Sequence, residues 1–258
     1  MGDSDSVFGI LLTAKGLFGL FTLTVLEIIL GIDNIIFISI AVNKLPQSQQ
    51  SRARFIGLAL ALIVRSILLT LIGWIAHLKN ALFHIGDYGV SGKGLILFAG
   101  GLFLLVKTWK EIKEKISHDA DLDENELKAK KASFTSIIIQ IIIIDFVFSF
   151  DSILAAVGVS GEVVIMIGGV VISMILMMLF SGKVADFINR NPGIKMIALA
   201  FLLVIGGVLV GEALTDAYNF SVPEEQHVEL NKNYAYTALG FALLIEIFNM
   251  REKKLKSK

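Results

Sequence analysis

The sequence predicts an all-α polytopic membrane protein with seven transmembrane helices, arranged as an inverted 3+3 repeat plus one additional helix. Three observations predict it. Of 258 residues 55% are hydrophobic and only 3 are proline, and the mean hydropathy is +0.76, far from the balance of a water-soluble domain. The apolar residues gather into seven runs long enough, or nearly so, to cross a hydrocarbon core of roughly 30 Å as helix. One polar pattern occurs twice inside such runs, its copies 118 residues apart.

The runs fall at about 16–42, 55–76, 94–109, 133–159, 162–182, 193–212 and 234–250. The third is short and the fourth and fifth are separated by a tight loop. Orientation follows from the basic residues. With the N-terminus outside, eighteen of the 23 Lys and Arg lie on the cytoplasmic side, four lie outside (Lys15, Lys79, Lys93, Lys232) and Arg65 lies within a run. The positive-inside rule therefore favours an external N-terminus, a cytoplasmic C-terminus and an odd number of spans. Trp74 and Trp109 fall near span ends, as interfacial anchors do. No cleavable signal peptide is expected, because Met1 to Lys15 is polar and the first apolar run is too long for one. The chain has no Cys, which excludes disulfides and thiolate metal sites.

The duplicated pattern is Glu27, Gly31, Asp33, Asn34 in the first run and Asp145, Ser149, Asp151, Ser152 in the fourth. The copies lie three spans apart. An odd number reverses the sense of entry, so the second unit is the inverted counterpart of the first about an axis in the membrane plane. This gives a first repeat over 1–109, a charged cytoplasmic connector over 110–132, a second repeat over 133–232, and a seventh helix with a basic tail over 233–258. The connector mixes seven acids with its lysines and reads as a solvated link. Asp119, Asp121 and Asp123 do not make a calcium loop, since Glu124 stands where the turn Gly is needed and Lys130 where the bidentate Glu is needed.

A carboxylate in hydrocarbon costs at least a few kcal/mol, so four at matched spacing point to a cation site in two halves. Six residues of continuous helix amount to about 9 Å and about 600°, so Glu27 and Asp33 would differ in depth and facing unless the helix opens. Gly31 is suited to open it, and Ser149 to bend its counterpart by bonding back to the backbone. The acids then form either one compact cluster or an outer and an inner pair. Arg65, central in the second span, needs an acidic partner among Glu27, Asp145 and Glu246. Counting Glu246 with the four motif acids leaves four negative charges in excess of Arg65, more than one divalent cation neutralises, which argues for protons as counter-ion. All these donors are oxygens, and His77, His84, His118 and His227 lie outside the spans. Mn²⁺, Mg²⁺ or Ca²⁺ is therefore preferred to Zn²⁺ or copper. The helical stripe Met174, Met177, Met178 reads as packing, and Glu212 as a vestibule or interfacial charge.

At Glu27 to Asn34 and Asp145 to Ser152 the chain resembles the TerC family of bacterial integral membrane proteins, and the likeness continues through Arg65, the NPGIKMIALAFLLVIG stretch and the LLIEIFNM ending. The resemblance implies a divalent metal exporter, chiefly for Mn²⁺, similar to the wider LysE-type exporters and lodged in the bacterial inner membrane. It supplies the direction of transport and the preference for Mn²⁺, which spacing does not. Asp33, Asp151, Glu27, Asp145, Asn34 and Ser152 are then the metal residues, with Arg65, Gly31, Ser149 and Glu246 in support. No prosthetic group, enzymatic activity or nucleic-acid partner is expected; the partners are the metal, protons and the bilayer. The alternative is a membrane protein that binds metal and assists its delivery without moving it. An intramembrane aspartyl protease lacks its Gly-x-Gly-Asp motif here, and a retinal-type receptor lacks its lysine in the seventh span.

Overall fold

The computed structural model describes residues 13–71, 78–118, 133–160 and 162–256. Within these, the side chains of 32, 33, 117, 118, 151, 154–160, 253, 254 and 256 lie outside the described set. Asp33 and Asp151 are among them, and Trp74, His77 and the Asp119 to Asp123 segment fall outside it altogether.

The described chain is mostly helical, and the described part of each predicted run is helix apart from Gly31, Leu71 and the leading residues Ser133 and Glu162. The first run is two helices, α1 (Ala14–Leu30) and α2 (Ile32–Val42), bent by 44°. Thr13 starts α1 by accepting the Gly16 N–H at 2.9 Å, which satisfies one of the orphan donors of the first turn. Helix α3 (Gln47–Thr70) follows Pro46. A hairpin comes next, between the second and third apolar runs: β1 (Ala81–Ile85) and β2 (Tyr88–Ser91), paired antiparallel with Ile85 opposite Tyr88. Its two-residue turn is Gly86-Asp87, and Gly86 has φ +63°, the left-handed conformation that favours glycine. Four long helices complete the chain in order: α4 (Gly92–His118), α5 (Phe134–Ser160), α6 (Val163–Arg190) and α7 (Pro192–Asn219). A short 3₁₀ turn (Glu224–Gln226) precedes α8 (Asn233–Lys256).

Several helices outrun their apolar segments. Helix α4 carries the start of the charged connector, Lys110 to His118, and α6 continues eight residues past the sixth-turn glycine Gly182 to Arg190. Backbone hydrogen bonding does not stop where hydrophobicity does; 28 residues make about 42 Å of helix, longer than the hydrocarbon core. By length and apolarity α3, α6 and α7 each suffice to cross a membrane, and the bent pair α1–α2 makes up to four among the described residues. The described apolar stretch of α5, Phe134–Phe150, is shorter.

Two compact units emerge, Met1–His77 with Lys131–Ala185, and Leu78–Lys130 with Asp186–Lys258. Each draws on both halves of the chain. In the first unit α3 lies along α5, and α1 along α6. Both contacts depend on small residues: a Cβ on Gly57 would lie 2.9 Å from Ile141 Cδ1, and one on Gly169 would lie 3.0 Å from Leu23 Cβ. In the second unit α4 lies along α7, where a Cβ on Gly101 would come 2.8 Å from the Gly206 carbonyl oxygen. Close backbone approach of this kind is how helices gain van der Waals contact where lipid offers no hydrophobic drive. Strand β2 also packs on α7, with Gly89 against the Phe220 ring, and α8 meets α7 through Phe201 and Tyr236, whose rings are 5.7 Å apart.

Large apolar side chains face outward, Phe18 73% exposed and Leu179 67%, whereas Arg65 is the largest fully buried side chain. That is the arrangement expected of helices whose solvent is lipid. The glycine contact gives a direct test. Gly101→Ala drives a methyl into a backbone carbonyl that cannot turn away, so it should destabilise the fold by about 1–3 kcal/mol as overpacking does, read as a lower unfolding midpoint in detergent. Gly207→Ala, whose Cβ would meet nothing within 4 Å, should be neutral or stabilising by up to about 1 kcal/mol of helix propensity.

Candidate cation site

Gly31 ends α1 and begins α2. Its N–H turns back to the Ile28 carbonyl at 3.3 Å, and helical bonding resumes with Ile35 N–H to the Gly31 carbonyl at 3.1 Å. Packing leaves no room for a side chain at the break: a Cβ at Gly31 would lie 2.7 Å from Met177 Sδ on α6. Met177 and Met174 are buried, so the methionine stripe is packing that reaches over the break. On either side of this break Glu27, in the last turn of α1, and Asn34, in the first turn of α2, belong to one cluster.

Arg65 on α3 is the centre of that cluster. Its Nη1 donates to Glu27 Oε2 at 2.5 Å, its Nη2 to Asp145 Oδ1 at 3.1 Å and its Nε to Ser149 Oγ at 2.8 Å. Asn34 Nδ2 donates to the same Asp145 oxygen at 3.1 Å, and Ser149 Oγ donates to Asp145 Oδ2 at 3.2 Å. All five residues are at most 2% exposed. Burying these charges is costly, and the cost is offset by charge-assisted hydrogen bonds of good geometry. The offset is incomplete. Glu27 Oε1 is buried and has no hydrogen-bond partner among the described residues.

The first acids of the two motif copies thus share one guanidinium. The second acids, Asp33 and Asp151, have side chains outside the described set; their backbones adjoin Asn34 and Ser152 in α2 and α5. Ser152 is buried, with its hydroxyl donating to the Ser149 carbonyl at 3.2 Å. Two expectations need correcting. Ser149 does not bond back to the backbone, because Arg65 and Asp145 take its hydroxyl, and α5 runs unbroken past it. Glu246 belongs to the other compact unit, where its carboxylate abuts Gly193 at the start of α7 and accepts from Asn249 Nδ2 at 3.3 Å.

Other polar groups have structural employment. Glu212 pairs with Lys232 at 3.0 Å. Asp216 accepts from Ser91, whose hydroxyl also takes the Gly94 N–H at 2.8 Å and so caps α4; no local sequence signal joins residues so far apart. Among the described residues no group of three or more His, Cys, Asp or Glu is gathered so as to hold a metal ion. What the described cluster offers is two carboxylates, a serine and an asparagine, all oxygen donors, already engaged with one cation.

The model of the family described as integral membrane protein TerC matches residues 12–258. The chain belongs to the TerC family. Among its relatives, a UPF0053 protein of Haemophilus influenzae is 41% identical over 236 residues, 92% of this chain and 94% of that one. The UPF0053 inner membrane protein YgdQ of Escherichia coli is 43% identical over 234 residues, 90% of this chain and 92% of that one. YoaE, an inner membrane protein of the same bacterium, is 43% identical over 231 residues, but these make up 42% of its length. No solved structure matches the chain. TerC proteins are integral membrane proteins, which accords with the outward apolar surface described above.

The cluster predicts a stability pattern. Arg65→Leu leaves two buried carboxylates without their counter-charge and should cost about 3–5 kcal/mol, seen as lost expression and an early melting midpoint in detergent. Adding Glu27→Gln or Asp145→Asn should restore part of it, whereas Glu246→Gln should restore none. Rescue by Glu246→Gln alone would contradict the pairing.

Proposed function

We propose that this TerC protein exports a divalent metal cation, with Mn²⁺ as the favoured cargo and protons as the returning ion. The observation that carries the reading is the convergence of Glu27 and Asp145, the leading acids of two separated motif copies, on one buried cluster in which a Glu27 oxygen has no hydrogen-bond partner among the described residues. A merely structural ion pair needs one acid for one guanidinium. Here the chain buries two, and the spacing adds Asp33 and Asp151 beside them. The donor set is hard, which favours Mn²⁺, Mg²⁺ or Ca²⁺ over softer metals; the family resemblance narrows this to manganese and to export across the inner membrane.

In this reading the protein spans the membrane seven times with its N-terminus outside, as an inverted repeat with α8 added. The packing supports the repeat. Gly57 of the second span meets Ile141, four residues before Asp145, while Gly169 of the fifth span meets Leu23, four residues before Glu27. The third and sixth spans meet through Gly101 and Gly206. Contacts exchanged between corresponding spans of the two halves are what a pseudo-two-fold axis produces.

With Glu246 removed from the count, four motif acids and Arg65 leave three excess negative charges, and a divalent cation leaves one. When the cation departs, the excess in a low-dielectric site favours proton uptake. Protons entering from outside also offset the membrane potential, which opposes exit of each positive charge by about 2.3 kcal/mol per 100 mV.

Mn²⁺ flux into liposomes that contain only this protein tests the reading and separates it from a metal-binding assembly role, which gives binding without flux. Asp33→Asn and Asp151→Asn should each cut flux by at least about tenfold, a loss of about 1.4 kcal/mol or more in transport-competent binding, while the protein stays folded. Wild-type flux in either variant removes that residue from the path.

A trapped pH-sensitive dye reads the coupling. Mn²⁺ movement should drive proton movement the opposite way, and an imposed pH gradient should drive Mn²⁺. Manganese flux indifferent to both would leave a uniporter or another counter-ion.

A further inference from the structure

We propose that Arg65 is a tethered competitor for the cargo: its guanidinium and a divalent cation occupy the Glu27 and Asp145 carboxylates in turn. This rests on the reading of the cluster as a cation site, and it specifies how such a site selects its cargo and lets it go.

The geometry is that of a cation bridging two ligands. One nitrogen of the guanidinium is on Glu27, a second on Asp145 and the third on Ser149. Three donors reach residues of α1 and α5 from an anchor on α3, a helix that carries neither motif copy. Arginine keeps its charge at any physiological pH, so it cannot step aside by losing a proton. It can only move. Its side chain has the length for that, whereas the two carboxylates are carried on separate helices.

Charge decides what can displace it. Two carboxylates with the guanidinium carry a net charge of −1. A divalent cation added to the same oxygens, with the guanidinium nitrogens still on them, sets two cations in contact where water does not screen them. Entry of the cargo therefore requires Arg65 to leave at least one carboxylate. A monovalent ion gains nothing by the exchange, since it offers the charge already present without the fixed fork of hydrogen bonds. A divalent ion neutralises both acids. Return of the guanidinium then expels it, which keeps the site strong enough to load and weak enough to empty.

A brace and a competitor give opposite results when the guanidinium is removed. A brace positions the acids, so its loss weakens metal binding. A competitor occupies them, so its loss tightens binding and slows release. The measurement is Mn²⁺ titration of the purified full-length chain by calorimetry and by thermal unfolding, for the wild type, Arg65→Gln and Arg65→Lys, with flux in proteoliposomes alongside. Arg65→Gln should bind Mn²⁺ at least about tenfold more tightly than wild type, gain more in melting temperature from Mn²⁺ than wild type does, and transport more slowly. Arg65→Lys retains the charge but not the fork, and should bind more tightly than wild type by a smaller factor; it decides the matter if Arg65→Gln does not fold. A wild type that carries Mn²⁺, with a folded Arg65 variant that binds it no more tightly, overturns the competitor and leaves a brace. A wild type that neither binds nor carries Mn²⁺ overturns the cation site itself.

Discussion

A guanidinium with almost no exposure to solvent has to be answered by negative charge, and in this protein the answer comes from two helices that are far apart in the chain. Arg65 reaches Glu27 on α1 and Asp145 on α5 from its own position on α3. The requirement is severe because the medium around these helices cannot supply a substitute. It fixes the rotation of α3 against α5, so that Gly57 and Arg65 both face α5, the one admitting Ile141 and the other meeting Asp145 and Ser149. Across the break at Gly31, Asn34 donates to the same Asp145 oxygen that Arg65 holds.

The remaining packing serves that arrangement with small residues in place of large ones. Gly57, Gly169 and Gly101 each lie where a side chain would collide with a neighbouring helix. Such notches let backbones approach closely, and dispersion then holds helices whose outer faces are as apolar as their inner ones. Both compact units are built in this way from segments of both halves of the chain. A protein divided between its first and second halves would have kept each repeat's contacts to itself.

Membership of the TerC family and the buried cluster bear on function differently. The family fixes the membrane setting, and relatives such as YgdQ and YoaE are named for the inner membrane without a cargo. The cluster contributes the chemistry: hard oxygen donors, a Glu27 oxygen without a hydrogen-bond partner among the described residues, and a permanent cation held between the two acids. The manganese reading joins these two lines. The role of Arg65 as competitor depends on the second line alone.

Composition and spacing were enough to determine that this is a helical membrane protein, where its helices lie, that Glu27 and Asp145 are paired by pattern, and that Arg65 needs an acid. These are local matters: an apolar run of sufficient length becomes helix in lipid whatever surrounds it, and a charge in such a run carries its cost wherever the helix packs. Tertiary structure decided which acids answer Arg65, choosing Glu27 and Asp145 over the chemically equivalent Glu246. It decided that α1 breaks at Gly31 under Met177 whereas α5 continues through Ser149, whose hydroxyl had a charged partner to prefer over its own backbone. It also revealed the hairpin at Gly86, too short and too irregular in pattern to stand out between two long apolar runs. In each case the deciding quantity is the register between segments distant in sequence, and no property of a single segment encodes it.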